Sequence, residues 1–249
     1  MEVLDSLLLL AHELGREEAK LAILGEGNVS ARTGKNEFVV KASGSMLKSL
    51  QAADLTSCHF DAVLRLLEKK TISDAEIEAA LLAARASSTA KKPSTETVFH
   101  AWLLTLENIN FVGHCHPVSA NQVLCSPRAR DFAERRLFPD EVVCCGGASV
   151  FVPYFDPGLP LAREIRDRTT FFINQHKQVP RLILLQNHGL IALGPTSQSV
   201  LACLQMATKA AEIFAGAAAL GGPNFMSPKD VERIASRPDE HYRRKQLMI

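Results

Sequence analysis

Apolar residues near the start of the chain recur at helical spacing, with Glu and Lys residues between them. This pattern predicts an amphipathic helix over residues 2–20 that ends around Gly25. A second helix is predicted over 73–85, because Ser73 precedes an apolar-periodic run and Glu76 follows three residues later, as in a capping box.

Two further helices are indicated by their start and stop signals. Residues 93–107 (PSTETVFHAWLLTLE) begin with proline, hydroxyl and acidic residues and continue at helical spacing. Residues 197–220 form an Ala-rich run that stops at Gly-Gly-Pro, which is a helix C-terminal signal.

Strand-like runs lie between the predicted helices. Residues 37–43 (EFVVKAS) predict a strand that leads into a turn and a short helix or loop, and 109–116 (INFVGHCH) predict another. Within 181–194 (RLILLQNHGLIALG), Leu182–Leu185 are continuously apolar, which favours a central strand. Together these runs predict an α/β fold.

Composition limits the class of protein. The chain has 249 residues and a formal net charge of +1, so charge indicates binding neither to nucleic acid nor to a membrane. Its six cysteines include no C-x-x-C pair, which favours a reducing compartment. The N-terminus lacks the basic start of a signal peptide, and no stretch approaches a membrane span. We expect a cytoplasmic protein with one domain over 1–225 and a loosely held charged tail over 226–249.

Two histidines, His114 and His116, follow an apolar strand run at positions i and i+2. Side chains at this spacing on a strand point to the same face and can share one ion. His188 stands at the end of another predicted strand, where it would complete the open three-ligand site of a catalytic metal. The alternative is a chance pair for the first two and a buried, backbone-bonded ring for His188.

Glu96 stands at the predicted start of the third helix, where the helix dipole alone favours an acid. Ser94 and Thr95 beside it offer hydroxyls and free backbone N–H groups that suit a phosphate. The small turns at 25–30 (GEGNVS) and 42–45 (ASGS) let the backbone approach an anion closely, although such turns are common.

Five ordered motifs carry a resemblance to a known family. EGNVSAR, KASGSML, PSTE, GHCHP and LLQNHGLIALG occur in this order between about residue 5 and residue 220. Together they resemble the class II aldolase/adducin family, typified by L-fuculose-1-phosphate aldolase. The resemblance implies a single α/β domain in three layers, with a central, mainly antiparallel sheet flanked by helices.

The resemblance also implies a metal site and its ligands. The positions that match the metal ligands are His114, His116 and His188, and the ion is usually Zn²⁺, with Mn²⁺ or Co²⁺ as other divalent choices. Glu96 matches the acid that binds the resting metal and then acts as acid and base. The positions that match the substrate-phosphate contacts are Asn28, Ser43, Gly44, Ser94 and Thr95. Members are commonly homotetramers with active sites at subunit interfaces, and a small sugar phosphate is the expected partner.

The implied reaction is the reversible aldol cleavage of a phosphorylated keto-sugar to dihydroxyacetone phosphate and an aldehyde, through a metal-stabilised enediolate. Glu96 would move the proton at the donor carbon, and we expect its apolar surroundings to raise its pKa toward neutrality.

Other reactions of the same family stay open. Decarboxylases, dehydratases and 4-epimerases of sugar or sugar-acid phosphates use the same metal site, although the epimerases carry an aspartate where Glu96 stands. Fuculose-type aldolases have a tyrosine ahead of a Gly-Gly pair as proton donor, but here the stretch is FPDEVVCCGG. Its acids, Asp140 and Glu141, are interpreted as solvated loop residues. A non-enzymatic, adducin-like binding module is the second alternative.

Overall fold

A seven-stranded sheet forms the middle layer of the computed structural model, which describes residues 2–247 and 249. The strands are β1 Asn28–Arg32, β2 Glu37–Lys41, β3 Leu55–His59, β4 Phe111–Cys115, β5 Val150–Val152, β6 Leu182–Leu185 and β7 Gly189–Gly194. Their order across the sheet is β3-β2-β1-β4-β7-β6-β5. Every neighbouring pair is antiparallel except β5 with β6.

Helices cover both faces of the sheet. They are α1 Val3–Leu14, α2 Phe60–Glu68, α3 Asp74–Ala83, α4 Thr97–Leu103, α5 Val118–Leu124, α6 Ala129–Glu134, α7 Pro139–Cys145, α8 Leu159–His176, α9 Ser197–Ala219, α10 Pro228–Ser236 and α11 Pro238–Leu247. One core lies on the side of α1, α5 and α9, and a second lies on the side of α2, α4 and α8. Because both faces are covered, β6 is apolar and buried throughout, as predicted for Leu182–Leu185.

Several predicted elements are confirmed, and their boundaries show where local signals end. Ser73 and Glu76 form the predicted capping box of α3, and the Ala-rich helix is α9. The first helix is shorter than predicted, because it ends at Leu14 and Gly15 caps it through an N–H bond to the Ala11 carbonyl oxygen at 2.8 Å. The strand pattern over 181–194 is split into β6 and β7 by a tight turn.

The length and composition of α9 suffice to cross a membrane, contrary to the expectation that no stretch approaches a span. One face of α9 packs against β4 and β7, and its neighbours are α1, α5 and α7. Val200, Leu204 and Phe214 are among its buried side chains. Its apolar composition therefore serves the core on this side of the sheet.

The segment predicted as a loosely held tail is helical. Ser227 caps α10 by accepting a hydrogen bond from the Asp230 N–H at 3.2 Å, and α10 packs against α7. Arg243 of α11 forms an ion pair with Asp140 of α7 at 2.9 Å. These contacts tie the C-terminal helices to the body of the fold.

Candidate metal centre

Three histidines meet because two antiparallel strands end side by side. His114 lies on β4, opposite Ile191 of β7. His116 follows β4 directly, and His188 directly precedes β7. One ring nitrogen of each histidine lies within 4.8 Å of the others, and we call the three residues the histidine cluster.

The ring nitrogens of the cluster are oriented as metal ligands are. Nδ1 of His114 lies 2.9 Å from the carbonyl oxygen of Leu190, so Nδ1 carries the proton and Nε2 presents a lone pair. Nε2 of His116 lies 3.0 Å from Nε2 of His114. Three converging imidazoles fit a divalent ion that takes nitrogen ligands.

Burial keeps the rings of His114 and His116 neutral. Desolvation lowers the pKa of His114 to about 4. Burial also lowers the pKa of His116 to about 3, and the neighbouring His114 and His188 act in the same direction. Neutral imidazoles at neutral pH are what a metal ion requires.

Two glycines make room for the cluster. Gly27 has φ +73°, and a Cβ there would lie 2.7 Å from the carbonyl oxygen of His114. A Cβ on Gly189 would lie 2.5 Å from the carbonyl oxygen of Cys115 and 2.7 Å from Cδ2 of His116. A side chain at either position would therefore displace a segment that carries a histidine.

Glu96 faces the histidine cluster from the N-terminal end of α4, where it is the N-cap residue. Its Oε1 lies 3.4 Å from Nε2 of His188 and 3.6 Å from Nε2 of His114. Its Oε2 accepts a hydrogen bond from Nδ2 of Asn28 at 2.5 Å. The carboxylate thus lies where it can approach an ion held by the cluster.

The pKa of Glu96 differs from the expectation. Burial acts to raise it, as predicted, but attraction to the imidazolium form of His114, together with the hydrogen bond and charge of His188, outweighs burial. The pKa of Glu96 is therefore well below the ordinary value of a glutamate, and the predicted rise toward neutrality is wrong. Glu96 is an ionised carboxylate at neutral pH.

Backbone pairing brings the predicted phosphate residues to the same end of the sheet. A bridge between Ala42 and Pro93 joins the turn after β2 to the segment that enters α4. These two segments form what we call the phosphate seat, whose residues are Ser43, Gly44, Ser94 and Thr95. The fifth predicted residue, Asn28, lies opposite His114 in the β1–β4 pairing.

Two polar groups of the phosphate seat already form hydrogen bonds within the protein. The N–H of Ser43 donates to the carbonyl oxygen of Lys92 at 2.9 Å, and Oγ of Ser94 accepts from the N–H of Glu96 at 3.2 Å. The helix begins only after Glu96, so Ser94 and Thr95 precede it, contrary to the predicted start at residue 93. Ser43 and Thr95 themselves are exposed.

Lys41 is a buried cation that the sequence interpretation missed. It is 2% exposed, and its Nζ donates to the carbonyl oxygens of Gly25 at 3.0 Å and Ser45 at 2.6 Å. Burial lowers the pKa of its ammonium, and the Glu96 carboxylate opposes that effect. The available signal was a lone charged residue within the otherwise uncharged stretch 38–47.

His100 is a second buried titratable group behind Glu96. It lies one helical turn further along α4, and Nδ1 is 2.7 Å from Oγ of Ser30 on β1. Burial lowers its pKa to about 4, although the Glu96 carboxylate acts to raise it. The ring is therefore neutral in the folded protein at neutral pH.

Asp140 and Glu141, the two acids ahead of Gly146, form ion pairs or hydrogen bonds with other residues. Both lie on α7, so the interpretation as loop residues is wrong. Glu141 is 3% exposed, lies 3.8 Å from Arg136 and accepts the N–H of Leu137 at 2.7 Å. Asp140 forms its ion pair with Arg243.

Residues 7–215 match the family model of the Class II Aldolase and Adducin N-terminal domain. The Bacillus subtilis (strain 168) protein "Uncharacterized oxidoreductase YuxG" is 28% identical over 183 residues, which are 70% of this chain and 24% of that protein. The chain therefore spans about a quarter of the length of this curated relative.

Solved structures share the fold. The N-terminal class II aldolase domain of a conserved protein from Thermoplasma acidophilum matches with a TM-score of 0.69 and 24% identity, over 86% of this chain and 94% of that chain. An L-fuculose 1-phosphate aldolase matches with a TM-score of 0.68 and 16% identity, over 94% and 96%. The predicted fold, a central and mainly antiparallel sheet flanked by helices, is confirmed. Since the family model covers most of its length, the chain belongs to the class II aldolase and adducin N-terminal domain family.

Proposed function

We propose that this protein is a divalent-metal-dependent aldolase that cleaves a phosphorylated keto-sugar of the fuculose 1-phosphate type to dihydroxyacetone phosphate and an aldehyde. The observation that carries the proposal is the convergence of three histidines on a point that the Glu96 carboxylate also faces. Family membership and the fold shared with an L-fuculose 1-phosphate aldolase support it.

The histidine cluster would hold the ion through three nitrogens and leave a coordination position open for substrate. When bound, the ion supplies Lewis-acid stabilisation of the negative charge that develops on a substrate carbonyl oxygen. Zn²⁺ suits an imidazole site best, and Mn²⁺ and Co²⁺ are the other divalent ions that we propose to test.

Glu96 would move the proton at the donor carbon. In the direction of aldol addition, its ionised carboxylate would accept a proton from that carbon. In cleavage the carboxylate would take up the proton released by the substrate hydroxyl at the bond that breaks and deliver it to the same carbon. The hydrogen bond from Asn28 fixes the carboxylate and favours its charged form.

The phosphate seat would bind the substrate through the hydroxyl of Ser43 and the backbone of Gly44 and Thr95. Binding energy from a phosphate there would hold the reactive end of the substrate at the cluster. The amide group of Asn28 has two N–H donors, and one of them is used by Glu96. The other can donate to the substrate phosphate.

Decarboxylation, dehydration and 4-epimerisation of a sugar or sugar-acid phosphate are the alternative reactions. Residues 138–147 contain no tyrosine, whereas a fuculose-type aldolase uses a tyrosine at this place as proton donor. These other reactions therefore stay open. A non-enzymatic binding role is the second alternative, which the complete set of three histidines and Glu96 disfavours.

We also propose that the protein is a homo-oligomer, a tetramer with active sites at its subunit interfaces. Apolar side chains close to His116 are exposed: Leu24 by 81%, Ile23 by 53% and Val118 by 45%. They line a cavity of about 530 Å³, and a second copy would remove this surface from water. Sedimentation of the wild type and of a Leu24→Asp variant tests this, since the variant should yield smaller species.

The test of the reaction is a product analysis. Zinc-loaded protein is incubated with ketose 1-phosphates and with keto-acid phosphates, and dihydroxyacetone phosphate, CO₂ and water loss are followed separately. We expect dihydroxyacetone phosphate plus an aldehyde, and a decrease of about 10²-fold or more in Glu96→Gln. Release of CO₂ or loss of water would select an alternative reaction, and no turnover of any sugar phosphate would favour the binding module.

A further inference from the structure

His114 and His116 differ in what lies next to the ring nitrogen that faces away from the centre of the cluster. In His114 that atom is Nδ1, and the carbonyl oxygen of Leu190 accepts its proton. In His116 the outward Nδ1 faces the carboxylate of Glu26, with 3.9 Å between Nδ1 and Oε1. Glu26 belongs to no site that the fold or the motifs assign.

The carboxylate of Glu26 is held in place by its own turn. Oε2 accepts a hydrogen bond from the N–H of Ile23 at 2.9 Å, and the N–H of Glu26 donates to the carbonyl oxygen of Ile23 at 3.1 Å. With one carboxylate oxygen anchored in this way, the other is left directed at His116. The side chain is 40% exposed, so no burial forces this arrangement.

The same turn is tied to the histidine by the backbone. The N–H of His116 donates to the carbonyl oxygen of Leu21 at 2.8 Å, and the N–H of Val118 donates to that of Lys20 at 3.4 Å. The carbonyl oxygen of Gly25, next to Glu26, accepts from the buried Nζ of Lys41. The distance between Glu26 and His116 is therefore set by regular backbone contacts.

We propose that Glu26 is a positioning residue, whose negative charge 3.9 Å from Nδ1 of His116 favours the tautomer with the proton on Nδ1, so that Nε2 faces the ion and binds it more strongly. A carboxylate behind a ligating imidazole orients the ring and increases the basicity of the ligand nitrogen. The inference rests on the proposed function, because it assigns Glu26 a part in the metal site of that reaction.

The experiment compares the zinc dissociation constants of the wild type, Glu26→Ala, Glu26→Gln and a matched control, Glu18→Gln, by competition with a chelator. Glu18 is a nearby glutamate whose side chain is 80% exposed. We expect about 10- to 100-fold weaker binding for Glu26→Ala and a smaller loss for Glu26→Gln, whose amide oxygen can still face the N–H of His116 as an acceptor. The control should stay within about twofold of the wild type, as a site outside the metal's surroundings does.

A second readout separates positioning from a general structural effect. In the zinc-loaded protein, the Nδ1–H resonance of His116 should shift in Glu26→Ala and stay in place in Glu18→Gln. If the wild type binds zinc and Glu26→Ala binds it equally well with an unshifted resonance, the role of Glu26 is wrong while the metal site stands. If the wild type takes up no zinc, both the metal site and the role of Glu26 are overturned.

Discussion

The histidine cluster is held by paired strands, whereas the phosphate seat is held by turns. His114 is fully buried within β4, and its partners are set by the register of the sheet. Ser43 and Gly44 are exposed and are joined to the segment before α4 by the single bridge between Ala42 and Pro93. The comparison indicates that the part of the site proposed to hold the metal is built on rigid elements, and the part proposed to bind the substrate phosphate is built on loops.

The largest effect should follow from removing one member of the histidine cluster. We expect His188→Asn to lower the metal content from about one ion per chain to nearly none, because two nitrogens do not make a stable site for Zn²⁺. Elemental analysis of protein purified without chelator measures this. His176→Asn, on the exposed end of α8, is the control, and equal metal content in both variants would contradict the site.

Gly189→Ala should damage the cluster without removing a ligand. The added Cβ would lie 2.7 Å from Cδ2 of His116 and should weaken metal binding about 10- to 100-fold. It should also lower the free energy of unfolding by about 1–3 kcal/mol. The matched control is Gly25→Ala, where a Cβ meets nothing within 4 Å. Unchanged metal affinity in Gly189→Ala would show that the close packing is not needed.

The pH dependence of stability should report on His100, which lies behind both regions. Its pKa is about 4 in the folded protein and about 6.5 when unfolded, so the unfolded chain takes up the proton first as the pH falls. The contribution of His100 to stability is therefore lost as the pH falls below about 6.5, and the loss levels off near pH 4. Between pH 7 and pH 5 the free energy of unfolding should fall by about 2 kcal/mol on account of His100.

Urea unfolding of the wild type and of His100→Gln at these two pH values isolates this contribution. The other buried histidines act in the same direction in both proteins, so the difference between the two belongs to His100. Identical pH dependence in both proteins would show that His100 does not titrate in this way.

The smallest effect is expected at Lys41, because the two carbonyl oxygens to which its Nζ donates lie beside the phosphate seat and beside Glu26, so its effect on the metal is indirect. Lys41→Met removes the ammonium that donates to Gly25 and Ser45, and we expect KM for a sugar phosphate to rise about tenfold at unchanged metal content. Lys48→Met, half-exposed in the same region, is the control. If Lys41→Met instead lost its metal, the two regions would not be separable.

Much of the fold was predictable, because its signals are local. The capping box of α3, the length of α9 and the apolar run of β6 follow from residue spacing, since a helix or a buried strand repeats its environment every few residues. The short third helix was not predictable in the same way. Pro93 pairs with Ala42, far away in the chain, and α4 therefore begins only after a turn at Thr95 and Glu96.

The residue types of the candidate site can be read from the sequence, because few side chains bind metals or phosphates and they occur in compact motifs. The motifs pointed to His114, His116, His188 and Glu96 as site residues, but they assigned no role to Lys41 or Glu26, although both residues lie within them. The roles of these two residues come from contacts between distant segments, namely the hydrogen bond from Lys41 to Gly25 and the approach of Glu26 to His116. The ionisation of Glu96 likewise required the folded structure, because burial and nearby histidines oppose each other and their balance depends on distances that no linear pattern contains.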